Sequence, residues 1–145
     1  MKRQFRLPTY AGAVIHRTRD TAREVLIVKL PSEPYMGRWC FPGGMVEEGE
    51  QPEVALRKWL HRRVGLKVEI LFGQPPFDAP WDDAMCRWRF FFCEFGEDEN
   101  PLESYYPEQR WVFEASLREY DYDPVSQQVV DWMLEKPPTE ESDQS

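Results

Sequence analysis

Histidine and cysteine are scarce: the 145 residues hold only His16 and His61, with Cys40, Cys86 and Cys93. The cysteines are odd in number and show no C-x2-C or similar ligand spacing, so they point neither to a disulfide framework nor to a zinc site. Cys86 and Cys93 fall close enough to share a strand, and all three read as small hydrophobes in a reducing compartment. No run approaches the roughly 20 apolar residues of a membrane helix. The start, Met1-Lys2-Arg3-Gln4-Phe5-Arg6, is basic with no apolar stretch behind it, so no signal peptide is visible and a cytoplasmic location is expected. There is no phosphate loop of the G-x-x-x-x-G-K-[ST] type, and Ser32, Ser104 and Ser116 lie in no nucleophile elbow, which argues against a triad enzyme. Positive charge is the minority: 18 Lys and Arg stand against 26 Asp and Glu, a net charge of −8. A surface of that sign repels phosphate backbones, which speaks against unspecific nucleic-acid binding.

What is present suits one globular unit. With 41% hydrophobic and 14% aromatic residues, the chain has enough material for a core. One domain is expected over residues 1–135, followed by an acidic, disordered tail over 136–145. Ala11 to His16 and Val25 to Leu30 read as neighbouring strands joined by a polar loop. Pro42-Gly43-Gly44 reads as a turn with unusual backbone angles. A helix is expected from Pro52 to Val64, with Pro52 and Glu53 suited to its first turn and Gly65 to its end; Leu56, Leu60 and Val64 form its core stripe. Leu66 to Phe72 and the aromatic Arg87 to Phe95 read as strands flanking a Pro-rich loop over 73–83. Gln109 to Phe113 is a last short strand, with helical turns near Glu114 to Glu119. A final helix from Pro124 to Glu135 has Val125, Val129, Trp132 and Met133 at core spacing.

The stretch Phe41-Pro42-Gly43-Gly44-Met45-Val46-Glu47-Glu48-Gly49-Glu50, with the helix that ends at Gly65-Leu66, resembles the box of the Nudix hydrolase family, G-x5-E-x7-R-E-U-x-E-E-x-G-U with U a bulky aliphatic residue. Without gaps, its first Gly falls on Gly44, its first Glu on Glu50, and its closing pair on Gly65 and Leu66. The order of strands and helices over residues 9–135 is similar as well. The resemblance implies an α+β fold, a Nudix-like α/β/α sandwich with a mixed β-sheet.

The same frame shows a departure. The R-E-U-x-E-E core lands on Lys58-Trp59-Leu60-His61-Arg62-Arg63, so the aliphatic position is kept and all three helix glutamates are replaced. In the family those glutamates hold magnesium ions that bridge a diphosphate, and magnesium requires hard oxygen ligands. Positions 59, 62 and 63 stand at i, i+3 and i+4, on one helix face. A divalent ion about 5 Å from one arginine there would meet a repulsion on the order of 6 kcal/mol at an effective dielectric of 20, before solvent screening. The usual metal site cannot form on this helix, and no cofactor is expected from it.

Glu50 keeps its place in the frame and is the one candidate catalytic residue. Glu47, Glu48 and Glu50 read in two ways: as favourable charge ahead of a helix, paired to Arg62 or Arg63, or as a displaced magnesium site in which Glu47 and Glu50 join Glu94, Glu97 or Glu108. Lys58, Arg62 and Arg63 either point to solvent or pair with Glu50 and Glu53, or bind phosphate oxygens in place of the metal. Trp59 either packs or stacks on a base, and His61, across the helix from it, faces solvent. Three functions stay open: a non-hydrolysing Nudix-like domain that binds a nucleotide or other phosphorylated ligand, or a protein partner, through Lys58, Trp59, Arg62 and Arg63; an active magnesium-dependent hydrolase of nucleoside diphosphate derivatives with displaced ligands; and an interaction module whose old site is filled. No membrane partner is expected, and a homodimer, common in the family, is compatible with all three.

Overall fold

A computed structural model describes residues 7–135; the expected tail over 136–145 lies outside the described residues. Eight strands form one sheet: β1 (Thr9–Arg19), β2 (Ala22–Lys29), β3 (Trp39–Cys40), β4 (Gly43–Val46), β5 (Leu66–Gly73), β6 (Phe77–Trp81), β7 (Ala84–Asp98) and β8 (Gln109–Phe113). Five run in the order β3-β2-β1-β7-β5, while β4 pairs with β1, β6 with β7 and β8 with β2. β1 and β7 are parallel and the other pairings antiparallel, so the sheet is mixed. Helix α1 (Pro52–Trp59) and helix α2 (Pro124–Leu134) complete the α+β fold.

Alternation along the central strands sends side chains to two cores. Ala11, Ala13 and Ile15 of β1, Leu26 and Val28 of β2, and Phe91 and Cys93 of β7 pack with Leu56, Leu60 and Val64 on the α1 side. Val14, Val25, Ile27, Trp88 and Phe90 face the other way and pack with Val125, Val129 and Val130 of α2. The expected stripe Leu56, Leu60 and Val64 is buried. Asp123 caps α2, its carboxylate accepting from the Val125 and Ser126 amides at 2.9 Å each. In α2, Val125 and Val129 are core as expected, but Trp132 is 41% exposed and Met133 only half-buried. Trp132 lies edge-on against Phe77, at a place where β6 takes up the packing.

Three local expectations are corrected. The stretch 73–83 is not all loop: Pro80 sits within β6 opposite Met85, at a strand that pairs on β7, and an outer strand tolerates a residue without an N–H. Gly43 and Gly44 do not make a left-handed turn. They belong to β4, and the glycines with positive φ are Gly37, Gly49 and Gly65. Glycine is needed there for space, since a Cβ on Gly43 would lie 2.0 Å from the Ala11 carbonyl oxygen and one on Gly44 2.7 Å from the Trp59 ring. Finally, the helix begun at Pro52 is α-helical only to Trp59. Over Leu60–Val64 it widens to a π turn, closed by the Gly65 amide on the Leu60 carbonyl.

Candidate functional site

β1, β4 and β7 line one side of an open cleft of about 490 Å³ with the end of α1 and the loop over 99–108 around it, a volume within the range of small-molecule pockets. Its walls are mainly aromatic: Tyr10, Trp81, Trp88 and Phe90 on the sheet, Phe41 beside β4, and Tyr105 and Tyr106 on the loop. Tyr10 stacks on Trp88 at 5.1 Å, and Trp81 leans on Trp88 at 5.4 Å. Asp123 and Ser126 at the start of α2 also line it. Burial pushes the Asp123 carboxyl up, against the opposing pull of its hydrogen bonds to Ser126 and Val125.

Two of the candidate binding residues come together at this cleft. Trp59 lies over Gly44, its indole donating to the Met45 carbonyl at 2.8 Å. Arg63 lies beside it, its guanidinium carbon 4.1 Å from the Trp59 ring centroid and 3.7 Å from that of Tyr105. Such cation–π contacts fix the plane of the guanidinium on a side chain that is only 17% exposed. Arg63 Nη1 donates to the Gly43 carbonyl at 2.8 Å, an oxygen that also accepts from the Tyr106 hydroxyl at 3.2 Å. Arg63 Nε is buried without a hydrogen-bond partner, with Glu103 3.8 Å away.

Lys58 and Arg62 do not line the cleft. Lys58 pairs with Glu50 at 3.0 Å and Arg62 with Glu103 at 3.4 Å. Positions 59, 62 and 63 share one face as expected, with the guanidinium carbons of Arg62 and Arg63 at 5.9 and 4.1 Å from the Trp59 ring centroid. The expected set of three cationic residues at the cleft is, however, replaced by Arg63 alone. The expected pairing of the loop glutamates with Arg62 or Arg63 is likewise replaced. Glu50 accepts from the Glu47 amide at 3.0 Å and from Lys58, and these hold its carboxyl below the ordinary range. Both arginines turn to Glu103, because the loop that carries it is bound to the helix end: the Leu102 and Glu103 amides donate to the Arg62 carbonyl at 3.1 Å each. His61 is exposed as expected and meets Glu99 at 2.8 Å.

The residues present do not fit a magnesium ion. A guanidinium and an indole occupy the two helix positions that face the cleft, and the Gly43 and Met45 carbonyls are taken by Arg63 and Trp59. Among the described residues no three His, Cys, Asp or Glu side chains gather closely enough to hold an ion. Of the remote acids, Glu94 engages Arg23 at 3.7 Å and Glu108 engages Arg110 and Lys29 at 2.7 and 3.3 Å; neither, nor Glu97, lines the cleft. All three cysteines are buried and free, and burial pushes the Cys93 thiol up to about 12, so none serves as a nucleophile.

Sequence reasoning missed the aromatic walls, Tyr105 and Glu103. Even-numbered Trp88 and Phe90 share one face of β7, a signal visible in the strand, but nothing local to residues 102–106 indicates that they meet the helix end.

The NUDIX domain family's profile matches residues 7–133, and the chain belongs to that family. Among curated relatives, an RNA pyrophosphohydrolase of Psychromonas ingrahamii is 32% identical over 81 residues and an 8-oxo-dGTP diphosphatase of Proteus vulgaris 40% identical over 50. These matches cover 45% and 34% of this chain, and the chain spans only 45% of the length of each relative. Solved structures agree over more of the fold. A Nudix hydrolase of M. smegmatis, RenU, has a TM-score of 0.68 at 21% identity over 86% of this chain and 84% of its own. The NUDIX domain of Shewanella oneidensis NrtR, complexed with ADP ribose, has 0.71 at 16% identity over 90% and 88%. No helix among the described residues is long and apolar enough to cross a membrane.

Proposed function

We propose that residues 1–135 form a Nudix domain that binds a nucleotide or similar phosphorylated molecule without cleaving it, and that Arg63 takes the anion-holding duty that magnesium has in the family. One observation carries this reading: the Arg63 guanidinium lines an aromatic cleft, held between the Trp59 and Tyr105 rings. Arginine hydrogen-bonds phosphate oxygens directly and cannot be deprotonated, so it compensates charge without a metal. Tyr10, Trp81 and Trp88 offer planar apolar surface to a base. The named activities of the curated relatives and the ADP ribose in the Shewanella structure support the nucleotide class. Trp59 and Arg63 are the binding residues, with Lys58 and Arg62 as outer charges. Three free buried thiols suit a cytoplasmic setting.

The competing reading, magnesium-dependent hydrolysis with ligands displaced to Glu47 and Glu50, needs further carboxylates beside them, and Glu50 is already committed to Lys58. A panel of nucleotides and nucleoside diphosphate derivatives, with and without magnesium or manganese, separates the two when product release and Tm are both recorded. The expected result is stabilisation without turnover, weakened in Arg63→Ala. Metal-dependent turnover that disappears in Glu50→Gln would overturn the proposal.

A further inference from the structure

The charges around the cleft restrict the anionic end of its ligand. Among the described lining residues Arg63 is the single cation, while Glu33 and Glu47 stand exposed on the rim. Lys58 and Arg62 lie outside and are engaged by Glu50 and Glu103. Asp123, held by the Val125 and Ser126 donors, adds no cation and is a further acidic group on the lining. Arg63 has itself committed Nη1 to the Gly43 carbonyl, and its Nε is buried 3.8 Å from Glu103. What is left of this one guanidinium can meet the oxygens of one phosphoryl group at most. A second phosphoryl group would have no cation to meet, no metal to bridge it to the first, and two carboxylates on the surrounding rim.

We propose that the cleft is selective for a planar aromatic molecule with a single phosphoryl group, the class of nucleoside monophosphates, over the corresponding diphosphate. This rests on the reading of the cleft as a nucleotide site and inverts the preference of a metal-loaded pocket, in which each added phosphoryl group gains contacts with the ion. The aromatic walls supply most of the affinity, and the rim carboxylates supply the discrimination by like-charge repulsion.

The test is calorimetric titration of the purified full chain in metal-free buffer with the mono-, di- and triphosphate of each common nucleoside. The monophosphate should bind about tenfold or more tightly than the diphosphate. Glu47→Gln, at an exposed rim position, should bring the two affinities together, and added salt should do the same. Diphosphate or triphosphate binding at least as tightly as monophosphate would overturn this inference and leave the proposed function standing. An unchanged ratio in Glu47→Gln would also overturn it. Absence of binding by every nucleotide, with a normal melting transition, would remove the proposed function as well.

Discussion

Arg63 and His16 are both polar groups placed among rings, and their surroundings give them different consequences. At position 63 the change of charge was legible in the sequence, because the box frame fixes which helix positions matter. The partners that hold the guanidinium, Tyr105 and Glu103, were not, since they arrive from forty residues downstream on a loop without local pattern. His16 gave no sequence signal at all. In the structure it is 4% exposed, its ring 6.1 Å from that of Phe92, and its Nε2 lies 3.5 Å from Glu114 without a hydrogen-bond partner. Arg23 reaches Glu114 at 3.4 Å and Glu94 at 3.7 Å, so one guanidinium and two carboxylates surround the imidazole. Burial, then the Arg23 charge, lower its pKa from the ordinary 6.5, and Glu114 only partly opposes them. As pH falls through 6.5 the unfolded chain takes up a proton that the native imidazole still refuses. Stability is thus full above 6.5, declines below it, and levels off once the lowered native value is passed. Tm followed between about pH 8 and pH 5 should fall more steeply in the native protein than in His16→Gln. Parallel curves would show that His16 does not contribute to the acid response.

At the scale of elements, the π turn and the Gly-Gly strand together build the cleft edge. β4 passes close to β1 because Gly43 has no Cβ to meet the Ala11 carbonyl, and Gly44 makes room for the Trp59 ring. Trp59 in turn ties the last α-helical turn to β4 through the Met45 carbonyl. Gly44→Ala should therefore cost about 1–3 kcal/mol by overpacking, and most of that cost should vanish in a Trp59→Ala background, where the ring is gone. Chemical denaturation of the four proteins gives the coupling; equal costs in both backgrounds would mean that Gly44 is required for its backbone alone. This element pair also shows where sequence reading stops. Aliphatic and aromatic runs identified β1, β2 and β7, and alternation identified β5; β1 and β2 read as continuous runs because both their faces are buried. Pro42-Gly43-Gly44 and Pro80 carry turn chemistry in isolation, and only pairing with β1 and β7 makes strands of them. The residues of the helix were legible, but the widening at Leu60, closed by the Gly65 amide, depends on how the end of the helix docks on β5 and the 99–108 loop.

The whole molecule has the Nudix architecture while its helix presents an indole and a guanidinium to the cleft. Both cores, the parallel β1–β7 pair and the close approach of β4 depend on residues other than the three substituted glutamate positions, so fold and metal chemistry are separable. Putting carboxylates back should then restore an ion site on the native frame. In Trp59→Glu/Arg62→Glu/Arg63→Glu, losing Trp59 releases the Met45 carbonyl, losing Arg63 leaves the Gly43 carbonyl to Tyr106 alone, and space opens above Gly44. That variant should be less stable than the native chain without metal, through lost packing and cation–π contacts. Manganese should raise its Tm, since an ion that binds only the folded state stabilises by about 2.7 kcal/mol at a hundredfold excess over Kd, whereas the native protein should show no such rise. Aromatic monophosphate binding should be lost in the same variant, because the guanidinium proposed to hold the phosphoryl group is gone. A native protein that is itself stabilised by manganese would mean that ligands outside the helix face hold an ion, and the charge reversal at Arg63 would no longer explain the site.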